Sequence, residues 1–271
     1  MKIFSTFYDH KIVNDVFSDI KDVDFSLFID YIPKSQEDLS SINIIALLEP
    51  NEYFNLHDWT IANKDLFSVI LTWDDKILNT CTNALFVPIG QTFFSPDQYK
   101  KEHKKEFKVA HLCGVLLKSY GHEMRHEILV REKEIKIPTK FYKTIGDRHN
   151  VEDAKIGKET VFGDAQYGIA IENFSHQGFF TEKILDCFLI KTIPIYWGCS
   201  NIGDFFNKEG IIEFKNVDDL IYKVNALNDP LYNSKIIQDA VEDNYQRSFK
   251  YIDYIKTLSN EIKNIFLINN I

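Results

Sequence analysis

Runs such as INIIALLE (42–49), FSVILTW (67–73), YGIAIEN (167–173) and TIPIYWG (192–198) constrain this chain most. Each has the length of a strand and is apolar or β-branched almost throughout. A strand with apolar residues on both faces needs cover on both faces, which a parallel sheet flanked by helices provides. MKIFSTFY (1–8), VDFSLFID (23–30) and NALFVPIG (83–90) join the same set. A polar, lysine-rich break follows from Ser95 to Lys108, read as a linker or connecting helix with a solvated basic face. Beyond it come a strand VAHLCGVLL (109–117), a helix HEMRHEILVREKEI (122–135) and a strand TKFYKTIG (139–146). Strand and helix then alternate through YGIAIEN, TEKILDCFLI (181–190), TIPIYWG and GIIEF (210–214). Helical spacing recurs at Val217, Leu220, Val224 and Leu227, and in the tail at Tyr251, Ile255, Leu258, Ile262 and Ile265. The pattern predicts an α/β fold of two Rossmann-like lobes with a cleft between them. The lobes are expected over 1–100, reduced in size, and over 101–247, with a C-terminal amphipathic helix over 248–271 packing on them. Ligands of such folds bind beyond the carboxyl ends of the strands.

Charge and composition remove whole classes. The 271 residues hold 31 Lys and Arg against 40 Asp and Glu, a formal net charge of -9. Nucleic acids and anionic membranes need a basic surplus, so neither is an expected partner. At 45% hydrophobic the chain has ample material for a core and does not read as disordered. No apolar run approaches the ~20 residues that span a bilayer. Asp9, His10, Lys11 and Asp15 interrupt the start, leaving no apolar signal-peptide region. Cys81, Cys113, Cys187 and Cys199 are scattered, which suits buried thiols in a reducing compartment. The expectation is a soluble cytoplasmic protein, and its Ile-, Asn- and Lys-rich usage suggests a bacterial or viral source.

The segment from Tyr167 to Gly198 is the most informative chemically. A strand ends in Glu172-Asn173, a loop with Gly178 follows, and Thr181 stands where a helix N-cap belongs. Glu182 and Lys183 fall in the first turn. A helix start offers free N–H groups and partial positive charge to a phosphate. Lys183 adds a cation for a diphosphate, and Glu172 or Glu182 can accept hydrogen bonds from ribose or sugar hydroxyls. The competing reading is an ordinary strand–loop–helix unit with solvated charges.

Other motifs compete. His122-Glu123-Met124-Arg125-His126 is a literal H-E-x-x-H, the zinc-peptidase pattern. Arg125 inside it sets a cation beside the metal, and the third ligand has only His149 or Glu152 nearby, in a loop. The flanking α/β pattern also disfavours a peptidase, so no metal site is expected there. Asp74-Asp75 suits a divalent cation or a solvated loop. His57 follows Glu49 closely enough to orient it, and Trp197 suits the core or stacking on a base or sugar.

ENFSHQGFFTEKI (172–184) followed by TIPIYWG resembles the donor-binding signature of the alpha-1,3/1,4-fucosyltransferases, inverting nucleotide-sugar glycosyltransferases of the GT-B type. FSVILTWDDKILNTCTNALFVPIG, VAHLCGVLLKSYGHEMRHEILVRE and IALLEPNEYFNLHDW extend the resemblance from about Ile42 to about Asn228. It implies an acceptor-side N-terminal lobe and a C-terminal lobe that binds GDP-fucose. It implies donor contacts from Arg125, Glu172, Asn173, Phe179, Thr181, Glu182 and Lys183, with Glu49 as catalytic base. His57, Trp73 and Asp74 are the acceptor-side candidates. Phe179 stands where the family has Tyr, so one hydroxyl contact to the donor is lost. The reaction implied is single displacement onto a saccharide hydroxyl, with no cofactor required and a divalent metal optional. The alternatives are a related transferase using a UDP-pentose such as UDP-xylose or another GDP-deoxyhexose, and a non-catalytic nucleotide-sugar or glycan-binding module.

Overall fold

A computed structural model describes residues 1–268 apart from 7, 9, 21–22 and 145–156. His149 and Glu152 lie outside the described residues. The chain divides into two compact units: Met1–Ile89 with Gln177–Phe179 and Asp253–Ile271, and Gly90–His176 with Phe180–Ile252. Among the described residues no helix is long and apolar enough to cross a membrane.

The first unit carries strands β1 (Lys2–Ser5), β2 (Phe25–Ile29), β3 (Ile42–Leu47), β4 (Val69–Thr72) and β5 (Ala84–Phe86). They lie side by side in chain order, all parallel. Side chains alternate faces along a strand. Leu27, Ile29, Ile44 and Ala46 therefore pack into one cluster, with Val13, Phe17 and the C-terminal helix residues Leu258, Ile262 and Phe266. Phe28, Ile45, Leu47 and Ile70 fill the opposite face with Leu56, Phe67 and Ile77. Burial on both faces is why these strands read as unbroken apolar runs.

The second unit carries β6 (Glu106–Cys113), β7 (Thr139–Lys143), β8 (Ala165–Ile171), β9 (Ile193–Trp197) and β10 (Ile212–Glu213). Its parallel sheet has the order β10-β9-β8-β6-β7. From β6 the chain steps outward to β7, then crosses back to β8 and continues the other way. The order therefore reverses between β6 and β8. In open parallel sheets the crevice at such a reversal, beyond the carboxyl ends of the strands, is where ligands bind.

Three expectations shift at their edges. The break after Ser95 holds a short helix, Pro96–Lys100, and β6 already begins at Glu106. The strand ends at Cys113, and Leu117 is 61% exposed rather than in a strand. The tail helix runs from Tyr254 to Ile268. Tyr251 precedes it and packs instead with Phe180 and Phe206 in the second unit.

Candidate functional site

Strand β3 delivers Glu49 just past its carboxyl end, where the residue is half-buried. Three neighbouring side chains hold the main chain there, and a fourth, Asp74, holds one of them. Asp30, just after β2, accepts from the Leu48 N–H at 2.8 Å and from the Glu49 N–H at 3.3 Å. The Trp73 indole donates to the Leu48 carbonyl at 2.8 Å. His57 Nε2 lies 2.9 Å from the Glu49 carbonyl, and its Nδ1 lies 2.6 Å from an Asp74 carboxylate oxygen. Asp74 also accepts from the Ile77 N–H at 3.1 Å, capping the helix Asp75–Thr80. The structure thus brings the candidate base and the three acceptor-side candidates together. Phe179 joins them: its ring centroid is 4.7 Å from that of Trp73, within the first unit.

Asp30 is the member that the sequence did not single out. Burial pushes its carboxyl up to about 7, with the nearby Glu49 charge adding to the rise against the Leu48 and Glu49 amides. For Asp74, burial opposes ionisation, yet the hydrogen bond and charge of His57 hold the carboxyl below its ordinary value. The rise at Asp30 has a thermodynamic consequence. A carboxyl raised in the folded state contributes stability that is full below its unfolded value and is lost as pH rises through the folded one. Asp30→Asn keeps an oxygen acceptor but cannot ionise. Urea unfolding of this variant is expected to lack a wild-type decline of up to about 4 kcal/mol between pH ~4 and ~7, at 1.36 kcal/mol per pKa unit. Parallel pH dependence in the two proteins would show that Asp30 does not titrate this way.

The second group forms at the order reversal of the second sheet. The helix Tyr120–Val130 follows β6, and Ser119 caps it, accepting from the His122 N–H at 3.3 Å. Its first turn lies directly on the end of β8: the Gly121 N–H donates to the Asn173 carbonyl at 3.2 Å. A Cβ at Gly121 would come within 1.9 Å of the Glu172 carbonyl oxygen, so only glycine allows this approach. One turn on, Arg125 donates to the Gly121 carbonyl at 3.1 Å and to the Asn173 side-chain oxygen. Gly121→Ala is expected to lower stability by ~3 kcal/mol or more, the upper range for overpacking against backbone that cannot yield. A thermal melt within a degree or two of wild type would contradict the close contact.

Glu172 is 0% exposed and is saturated from inside the protein. Its oxygens accept from the Thr181 N–H at 2.9 Å and the Thr181 hydroxyl at 2.7 Å, and Lys183 Nζ lies at 3.4 Å. It therefore ties the end of β8 to the start of the helix Glu182–Leu189, rather than presenting an open carboxylate to a ligand. Thr181 caps that helix, accepting from the Lys183 N–H. Glu182 stands 3.2 Å from Lys183 and 3.9 Å from Lys158. Burial alone would raise Glu182, but these two cations reverse the effect and hold it at about 2. Lys183 is raised in turn: burial disfavours its charge, while Glu182 and Glu172 favour it and the Arg125 charge pushes against it. Lys158 is a further cation that sequence reasoning missed, paired at 2.6 Å with the buried Asp186. It follows residues 145–156 and carries no motif around it.

The first imidazole of the H-E-x-x-H run is drawn into local structure. His122 Nδ1 lies 2.5 Å from the Ser119 hydroxyl. His126 Nε2 is buried without a hydrogen-bond partner. Among the described residues no group of three or more His, Cys, Asp or Glu side chains is placed to hold one metal ion. Asp74 is bonded to His57, and Asp75 lies in the first turn of its helix.

No protein-family model matches the chain. An alpha-(1,3)-fucosyltransferase of Helicobacter pylori, FucT, is 32% identical over 89 residues, 29% of this chain and 19% of that protein. A protein of Acanthamoeba polyphaga mimivirus named as a candidate fucosyltransferase is 32% identical over 111 residues, 39% of this chain and 18% of the relative. The matched segments thus span under a fifth of either relative. Among solved structures, an alpha1,3-fucosyltransferase aligns with a TM-score of 0.55 at 14% identity, over 96% of this chain and 90% of the other. An alpha1,3-fucosyltransferase with GDP-fucose aligns at 0.51 and 15%, over 95% and 89%. S. aureus TarM in a complex containing UDP aligns at 0.51 and 14%, over 88% and 55%. At these identities the structural likeness is one of fold. The chain is similar in sequence, over the matched segments, to proteins named as fucosyltransferases, and it shares the GT-B-type fold of solved alpha1,3-fucosyltransferases, an α/β architecture with two parallel sheets.

Proposed function

We propose that this chain is an inverting glycosyltransferase that moves L-fucose from GDP-fucose onto a saccharide hydroxyl. The observation that carries the reading is that Arg125 and Lys183 both reach the Glu172-Asn173 pair just past β8: Arg125 donates to the Asn173 side-chain oxygen, and Lys183 lies 3.4 Å from a Glu172 carboxylate oxygen. Lys183 stands in the first turn of the helix capped by Thr181. Two cations beside a helix start form a site whose charge suits a diphosphate. The curated relatives are named for fucosyl transfer, and an alpha1,3-fucosyltransferase of this fold has been solved with GDP-fucose.

In this reading Glu49 takes the proton of the acceptor hydroxyl as it attacks the anomeric carbon from the face opposite the diphosphate. Negative charge grows on the departing GDP, where Arg125 and Lys183 stabilise it. Glu182 can accept from donor hydroxyls, while Glu172 acts through Thr181 by holding the helix start in place. The reading requires no metal, because the two cations and the helix start supply the charge. The test is GDP release from GDP-fucose across a panel of saccharide acceptors, with product mass read in parallel. Acceptor-dependent release and a gain of one deoxyhexose are expected. Turnover of UDP-sugars with GDP-fucose untouched would replace the donor assignment.

A further inference from the structure

Leu48 and Glu49 stand one step beyond the end of β3, where the sheet no longer supplies partners. Protein side chains supply them instead. Asp30 takes both N–H groups, Trp73 the Leu48 carbonyl and His57 the Glu49 carbonyl. Asp30, His57 and Trp73 come from the end of β2, from the helix Leu56–Ala62 and from just past β4. Each is 3% exposed or less. Burying a carboxylate and an imidazole is unfavourable unless every polar atom is bonded, and water would serve an ordinary strand end without that penalty. Asp30 also holds a left-handed backbone, φ 46°, which a residue other than glycine rarely adopts. Its own N–H is fixed to the Ala46 carbonyl at 2.9 Å, so the carboxylate is aimed from β3 itself. Buried polar groups and one strained backbone thus converge on a single dipeptide, and the functional side chain of that dipeptide is Glu49.

We infer that Asp30 and His57, the latter oriented by Asp74, are positioning residues that fix the main chain of Glu49 and so the direction of its carboxylate. This rests on the reading of Glu49 as the base. Fixing the main chain at both its N–H and its C=O removes rotation of the peptide planes flanking Glu49. The remaining freedom lies in the side-chain torsions. A base held this way meets the acceptor proton in a narrower range of directions, which raises the rate of the chemical step and leaves donor binding alone.

The test uses the full chain with GDP-fucose and a competent acceptor, comparing His57→Leu, His57→Gln, Asp74→Asn and Glu49→Gln. His57→Leu is expected to lower kcat ~10-fold or more, with donor KM and GDP affinity within about twofold of wild type, as for a misplaced reacting group. His57→Gln carries an amide that can still donate toward the Glu49 carbonyl and should recover most of the loss. Asp74→Asn keeps a helix-capping oxygen, so it folds even where His57→Leu does not, and it should lower kcat by several fold. Wild-type kcat in folded His57→Leu or Asp74→Asn overturns the inference, as does a His57→Leu loss that His57→Gln does not recover. An inactive Glu49→Gln beside a fully active His57→Leu removes the positioning role alone. A fully active Glu49→Gln, or a wild-type chain that turns over no GDP-sugar, removes the base reading and this inference together.

Discussion

Glu49→Gln is expected to lower fucosyl turnover by ~100-fold or more, the usual scale of a general-base contribution. GDP affinity should stay at the wild-type value. The substitution is nearly isosteric, and the main-chain bonds to Asp30 and His57 do not involve the side chain that changes. Folding is therefore expected to be intact, and any loss reports on chemistry rather than on structure. Arg125 and Lys183 belong to the other unit and are untouched, so the diphosphate keeps its partners. Loss in kcat without loss in binding is the mark of an interaction made only in the transition state. A variant with wild-type kcat would remove Glu49 from the role, and a comparable loss of GDP affinity would make it a binding residue instead.

Lys183→Ala should produce the largest combined effect on binding and stability. In the free protein Lys183 lies 3.4 Å from Glu172 and 3.2 Å from Glu182. Glu172 is fully buried, and removing one partner of a buried pair leaves an uncompensated charge, with a penalty of about 3–5 kcal/mol. The Thr181 N–H and hydroxyl still bind Glu172, so the lower end of that range is expected. The same cation is proposed to meet the diphosphate. A charge-assisted hydrogen bond contributes ~1.5–3 kcal/mol, which corresponds to roughly a 10- to 100-fold loss in GDP affinity. Denaturant unfolding and calorimetric titration separate the two effects. Unchanged GDP affinity in a folded Lys183→Ala protein would place the diphosphate elsewhere.

The strands were legible because both sheets are covered on both faces. Leu27 and Phe28 pack into different clusters, so the run shows no polar side. The helix Lys235–Ser248 was not legible for the opposite reason. Its buried face includes Asn244 and Ser248, which periodicity of apolar residues passes over. In the candidate site, Thr181 as N-cap followed directly from the sequence. Glu172 reads equally as a ligand contact or a structural anchor, and only the two bonds from Thr181 decide that it anchors. Phe179 reads as a donor contact beside Thr181, yet it packs on Trp73, a partner far away in sequence. Asp30 looked like an ordinary polar residue ending a strand. Its role depends on a neighbouring strand stopping one residue before Leu48, and no local pattern carries that information.

The proposed mechanism depends first on a nucleoside diphosphate held at the carboxyl ends of β6 and β8. Calorimetric titration with GDP and with UDP tests it most directly, on the wild-type chain, Glu49→Gln and Lys183→Ala. GDP is expected to bind wild type and Glu49→Gln equally, to bind Lys183→Ala at least ~10-fold more weakly, and to bind wild type more tightly than UDP does. No GDP binding to the wild-type chain, or equal affinity in all three proteins, would contradict it.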